Sequence, residues 1–467
     1  MSRRKKVLVI GLDCAPPELV FEQWRDELPN FRRVMDDGVW GKLESSTPAI
    51  TVPAWSSMMS SKDPGTLGFY GFRNRGDYSY EKNTLANSNS VKTDRVWDVL
   101  SRAGKKVITV GVPQTFPPKP VNGIQVGCFL SPSTSNPDRP YTYPAAAMKE
   151  IEAIVGEYLV DVPNFRTNDK EYLLRQIYTM TEKRFKLVKK WLVSKDWDFF
   201  MFVEMGTDRI HHGLWKYHDP THHKYEVNPR LNESIHNYYR YIDTEIGQIL
   251  DLVDLDNTTV FIVSDHGAKK MDGGICVNEW LIREGYLTLK TQPTSLTAID
   301  KCEIDWSRTK VWGDGGYYAR IFLNIEGREP QGIVKPEEVE SLRNELKAKF
   351  EALTDPDGVN IGTKVFKPEE IYHEVNGVAP DLIIYFGDLF WRSVGSVGHG
   401  SIYTFENDTG PDDCNHAQFG IVLRRDPDAL ESQGGRELDG LQLMDMAPTI
   451  LQQFDLPVPA DMQGKPF

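Results

Sequence analysis

Two short β-branched runs, Val7–Leu12 and Thr258–Val263, each stop at an acidic residue followed by turn chemistry: Asp13-Cys14-Ala15-Pro16-Pro17 and Ser264-Asp265-His266-Gly267. Apolar runs of this length, bounded by charge and turns, read as buried strands. In α/β sheets, ligand sites gather beyond the carboxyl ends of the strands. Asp13 and the Asp265-His266 pair therefore stand where chemistry collects. Asp13 also suits a helix N-cap ahead of proline, and Asp265 with His266 also suits a structural ion pair.

At 467 residues the chain exceeds an average domain, and one elaborated α/β domain spanning 1–467 is the default expectation. A net charge of −13 disfavours an extended nucleic-acid surface, because phosphate backbones are bound by clustered Lys and Arg. It leaves small phosphate esters open, since bound divalent ions reverse the local sign. The basic start Met1–Lys6 runs into a short apolar stretch that ends at Asp13, which reads as a strand rather than a signal peptide. No apolar run approaches the ~20 residues that span a bilayer, so no membrane partner is expected. Five scattered cysteines without a CxxC pair fit a reduced, cytoplasmic chain.

Between the two strands lies Ile50-Thr51-Val52-Pro53-Ala54-Trp55, a hydroxyl beside proline in a polar, glycine-studded region. A helix over Ala54–Ser60 that begins just after Thr51 would aim backbone N–H groups at an anion near its hydroxyl. An N-cap role for Thr51 is the commoner fate of such a residue. Asp208 and His212 follow a third strand, Asp198–Val203, and share one face if a helix starts there. His211 would point elsewhere, while His218, His222 and His223 read as solvated loop residues. His416 precedes the strand Gly420–Leu423, and His399 is its rival as a ligand.

Further strands are predicted at Val107–Val112 and Gly123–Phe129, and amphipathic helices at Asp169–Ser194 and Asn228–Leu255. Residues 130–166, rich in Pro, Ser and Asn, read as a lid over the site. Residues 273–376 mix short strands, a charged helix and turns, as a smaller inserted subdomain would. Asp381–Phe386 is expected to rejoin the main sheet. Arg73, Trp55 and Trp215 could help to hold the ester's oxygens or its second group, but each reads more readily as a packing or surface residue.

Asp and His together suit Zn²⁺ or Mn²⁺ better than Ca²⁺ or Cu⁺. Two such ions about 4 Å apart clamp both oxygens of an in-line phosphoryl displacement. Coordination lowers the pKa of a threonine hydroxyl, so Thr51 needs no neighbouring base. The expectation from the residues is a two-metal hydrolase of phosphate esters with Thr51 as nucleophile.

Asp13 after the first strand, Thr51-Val52-Pro53-Ala54-Trp55, Asp208-x3-His212, Ser264-Asp265-His266-Gly267 and Asn415-His416, in this order, resemble the alkaline phosphatase superfamily. The nearer resemblance is to its type I phosphodiesterase/nucleotide pyrophosphatase branch, in the group of phosphohydrolases and phosphomutases. Gly327-Arg328-Glu329-Pro330, Pro380-Asp381-Leu382-Ile383 and Ala447-Pro448-Thr449-Ile450-Leu451 extend the likeness over nearly the whole chain. The resemblance implies a three-layer α/β/α fold with a mostly parallel sheet. It implies two divalent ions, Zn²⁺ first and Mn²⁺ second: Asp13, Thr51, Asp265 and His266 around one, Asp208, His212 and His416 around the other. A phospho-threonine intermediate, a small phosphate-ester substrate such as a nucleotide, and net retention at phosphorus follow from the same likeness.

The chain departs from its relatives at Leu67, where histidine is frequent, and it lacks the sulfatase signature. Threonine in place of serine argues against a cofactor-independent mutase. The alternatives are a phosphomonoesterase or phosphomutase and, from another class, a metal-stabilised binding protein without turnover.

Overall fold

The computed structural model describes residues 4–467. Its main sheet has ten strands, seven of which matter here: β1 (Lys6–Leu12), β2 (Val39–Glu44), β3 (Val107–Val110), β4 (Gly123–Val126), β5 (Phe199–Glu204), β6 (Thr258–Val263) and β7 (Phe419–Arg425). The spatial order is β2-β7-β6-β1-β5-β3-β4, with short strands at both edges. From β6 to β4 the neighbours are all parallel, while β7 runs antiparallel to β6 and β2. Val7, Leu8, Val9 and Ile10 are all fully buried. Successive residues point to opposite faces, so both faces of β1 are covered by other layers, as parallel strands require.

This order brings distant residues together. β1 lies between β5 and β6 and points the same way, in the register Leu12↔Glu204 and Gly11↔Val263. The chain therefore leaves all three strands on one edge of the sheet, and Asp13, Asp208 and Asp265 arrive side by side. His416 joins them on the strand Cys414–Ala417, which pairs antiparallel with Gly267–Lys270 and sets His416 opposite Ala268.

Helix α1 (Thr51–Ser60) has Ile50 as its extended N-cap residue, so Thr51 is its first helical residue and not the cap. α2 (Lys170–Ser194), α3 (Gly206–His218) and α4 (Ser234–Leu252) pack on one another, and α1 packs with Met446–Gln453. Asp208 and His212 lie one turn apart in α3, on one face.

Asp381–Phe386 does not rejoin the main sheet. Its strand, Leu382–Tyr385, belongs to a separate four-stranded antiparallel sheet with Val311–Asp314, Ala319–Leu323 and Lys364–Phe366. Those strands share a second hydrophobic cluster built around residues such as Trp280, Ile321, Phe350 and Ile384. An apolar run specifies a buried strand but not which sheet buries it.

His222 is likewise not solvated. It is buried, with Nε2–H donating to the Asp413 carbonyl (2.8 Å) and Nδ1 accepting from the Lys224 N–H (3.0 Å). Acceptance at Nδ1 requires the neutral ring, and burial pulls its pKa down to about 4. A depressed histidine pKa stabilises the fold fully above the unfolded value of about 6.5, and that contribution is lost as pH falls through about 4. Urea unfolding at pH 7 and pH 4.5 is expected to show a larger loss for the wild type than for His222→Asn. Equal losses would contradict this role.

Candidate metal centre and its cleft

Asp13, just beyond β1, is fully buried. Its Oδ2 accepts a hydrogen bond from Trp55 Nε1 (2.7 Å), and its Oδ1 has no partner. The Trp55 ring reaches Asp13 across Gly11, where an added Cβ would come within 2.7 Å of the indole. Asp265 is also fully buried, with Oδ1 accepting from the Cys14 N–H (3.2 Å) and Oδ2 without a partner. Asp208 Oδ1 is the third buried carboxylate oxygen of the site left without one.

The three histidines show a matching pattern at their ring nitrogens. His266 Nδ1–H donates to the Gly267 carbonyl (3.1 Å), His416 Nδ1–H to the Ala49 carbonyl (2.8 Å) and His212 Nδ1–H to Asp412 Oδ1 (2.7 Å). With Nδ1 so occupied, each ring turns its Nε2 inward, where the neutral form offers a lone pair. His266 Nε2 lies 3.3 Å from Thr51 Oγ1, 3.2 Å from Asp265 Oδ2 and 3.8 Å from Asp13 Oδ1. His212 Nε2 lies 3.3 Å from His416 Nε2 and 3.2 Å from Asp208 Oδ1. The His266 and His416 rings stack at 3.8 Å, which joins the two groups.

Converging lone pairs and unpartnered carboxylate oxygens repel one another unless cations lie among them. Two donor groups that share Asp208, one of Asp13, Asp208 and His266 and one of Asp208, His212 and His416, lie close enough together to hold divalent ions. Cys14 Sγ is also within ligand reach of the second set.

The protonation energetics favour the neutral ring at His266 and His416 and the charged ring at His212. Burial, with the Asp208 charge, pushes Asp13 well above the usual carboxylate range, and burial with Asp13 does the same to Asp265. Burial pulls His266 down to about 4, and burial with His266 and His212 pulls His416 well below its ordinary value. Burial works against the charged forms of Asp208 and His212 too, but there other charges win. His212 and Arg209 hold Asp208 low, while Asp412 holds His212 high.

His399 is not part of this group; its Nε2 meets Ser396 Oγ at 2.9 Å. His211 points away, as its place in α3 requires, and stacks on Tyr239. Trp215 packs between His211 and His218. Leu67 packs in an apolar cluster with Val52 and Phe69.

Several residues around the site escape a reading of the sequence. The Asp412 side chain is fully buried, and besides His212 it accepts from Arg392 (2.9 Å) and Tyr317 (3.1 Å) and pairs with Arg166 (3.1 Å). Arg209 pairs with Asp208 and, through two bonds of 2.7 Å, with Asp161. Trp55, read as packing, holds a carboxylate of the centre. Replacing it with phenylalanine removes that donor. Loss of such an orienting bond is expected to weaken metal retention about 10- to 100-fold, measured by metal content after graded chelation. Retention equal to wild type would remove Trp55 from the site.

Above Thr51 opens a cleft of about 500 Å³. Leu130, Asp161, Phe165 and Arg166 line it from the 130–166 segment, and Gly315–Tyr318 with Arg320 line it from the side of the smaller sheet. Among the described residues no helix is long and apolar enough to cross a membrane.

Solved structures share this fold over nearly their whole length. Human ectonucleotide pyrophosphatase/phosphodiesterase 5 is 13% identical with a TM-score of 0.57, covering 97% of this chain and 96% of its own. An inactive form of the murine enzyme in complex with AMP is 14% identical with a TM-score of 0.54, over 97% and 96%. Phosphonoacetate hydrolase from Sinorhizobium meliloti 1021, in complex with phosphonoacetate, is 14% identical with a TM-score of 0.59, over 95% and 94%. A search of curated proteins finds no match. The model of the family "Type I phosphodiesterase / nucleotide pyrophosphatase" matches residues 7–412, and the chain belongs to this family, within the alkaline phosphatase superfamily.

Proposed function

We propose that this protein is a two-metal phosphodiesterase, acting on nucleotide-type phosphate esters through Thr51. One observation carries the reading. Three histidine Nε2 atoms and three unpartnered carboxylate oxygens converge beside a hydroxyl at a helix N-terminus. Asp13, Thr51, Asp265 and His266 would hold one ion, and Asp208, His212 and His416 the other. The donor set suits Zn²⁺ first and Mn²⁺ second. Bound ions would lower the pKa of the Thr51 hydroxyl and offset charge on the phosphoryl oxygens.

The chain's own groups do the rest. Thr51 Oγ1 attacks phosphorus as one ester oxygen leaves, giving a phospho-threonine that keeps the other ester group and an alcohol that carries away the threonine proton. Water then displaces Thr51 from phosphorus and restores the hydroxyl. Two in-line displacements give net retention. The first turn of α1 offers backbone N–H groups that have no helical acceptors, and these favour an anion beside Thr51.

Phe72, Phe129, Phe165 and Tyr317 form aromatic walls suited to a nucleobase, in keeping with the AMP held by the murine relative. Five free cysteines support a reducing, cytoplasmic setting. The cleft's arginines give the monoesterase or phosphomutase alternative its support, because they suit a phosphate dianion.

Hydrolysis of bis-p-nitrophenyl phosphate against p-nitrophenyl phosphate separates the readings. Chelated enzyme is expected to be inactive, and restoring Zn²⁺ or Mn²⁺ to return diester preference. A monoester preference would favour the alternative, and no metal-dependent turnover of either would favour the non-catalytic binder.

A further inference from the structure

The cleft holds more positive charge than a simple diester can use. Arg73, Arg166, Arg209, Arg320 and Arg392 all line it, in a chain of net charge −13. Arg209 is matched by Asp161, and Arg320 by Asp314 (3.1 Å). Arg166 and Arg392 share the single carboxylate of Asp412, which also faces His212, so one guanidinium there is in excess.

Arg73 is the other surplus cation. Among the described residues its guanidinium has no carboxylate or hydrogen-bond partner, and its side chain is exposed at the cleft. Its backbone, by contrast, is held. Arg73–Arg75 pairs with Asn83–Leu85, and the Arg73 carbonyl accepts from the Arg320 guanidinium. Phe72 beside it packs edge-on against Phe129. A fixed backbone with a free cationic head on a substrate-sized cleft is an arrangement for capturing an anion.

The charge balance of the centre sharpens this. Two divalent ions, if held there, would be offset by Asp13, Asp208, Asp265 and an ionised Thr51, which would leave the arginine surplus to the substrate. A reacting diester brings a single negative charge. We propose that the substrate carries a second anionic oxyacid group, a phosphate or a carboxylate, and that Arg73 receives it and sets specificity. The inference rests on the reading that a phosphate ester reacts at Thr51.

The test uses the metal-loaded full chain and three non-hydrolysable phosphonates of matched length: an alkyl phosphonate, a carboxyalkyl phosphonate and an alkane bisphosphonate. Their affinities are measured by calorimetry for wild type, Arg73→Ala and Arg73→Lys. Wild type is expected to prefer a doubly anionic ligand over the alkyl phosphonate by about 10- to 100-fold, the range of a charge-assisted hydrogen bond. That ratio should collapse toward one in Arg73→Ala and return in part in Arg73→Lys. The tighter of the two charged ligands identifies phosphate or carboxylate. Equal affinities in wild type, or a preference that survives Arg73→Ala, would overturn the inference. Thr51-dependent hydrolysis of an uncharged-arm diester, followed in parallel, reports on the parent reading alone.

Discussion

Thr51→Ala is expected to lower turnover of phosphate esters by at least ~1,000-fold, because removing a nucleophile forfeits the covalent route and leaves only binding and electrostatic effects. The fold should survive. Thr51 is the first residue of α1 rather than its cap, and its side-chain contact is the 3.3 Å approach to His266. Alanine favours helix at that position, so stability should change by less than about 1 kcal/mol. Steady-state kinetics with urea unfolding and metal analysis check all three points. Turnover near the wild-type rate in a folded, metal-loaded variant would place the nucleophile elsewhere.

Asp412→Ala should produce the largest combined effect on stability and metal retention. The carboxylate is fully buried and faces Arg392, Arg166, Tyr317 and His212. Removing it leaves the buried Arg392 guanidinium without its carboxylate, and breaking a buried pair from one side costs about 3–5 kcal/mol. His212 also loses the acceptor that fixes its Nδ1–H and directs Nε2 inward, which is expected to weaken metal binding about 10- to 100-fold. Asp412→Asn keeps an acceptor for His212 while removing the charge, so it should retain more metal than the alanine variant. An alanine variant with wild-type stability and metal content would contradict this role.

The residues that gather at the candidate centre are legible in the sequence because each sits at a position that local patterning marks. Asp13 and Asp265 end apolar runs, and Asp208 and His212 share helical spacing. Parallel pairing of β1 with β5 and β6 then brings the three acids to one edge. Their supporting residues carry no such mark. Trp55 reads as core until Gly11 lets its indole reach Asp13. Asp412 lies 200 residues from His212 and 20 from Arg392, separations that no local period spans.

The error at Asp381–Phe386 has a related cause. Residues Leu382–Tyr385 are buried as an apolar strand should be, but by the smaller sheet. The polar neighbours of His222 resemble a solvated loop, whereas its ring is enclosed by backbone groups of Asp413 and Lys224.

The stereochemical course at phosphorus tests the central claim most directly. A chiral phosphorothioate diester is hydrolysed in isotopically labelled water by the metal-loaded enzyme, and the configuration of the product is read by phosphorus NMR. Two displacements through phospho-threonine require net retention. Inversion would mean that water attacks the ester in one step, and Thr51 would not be the nucleophile.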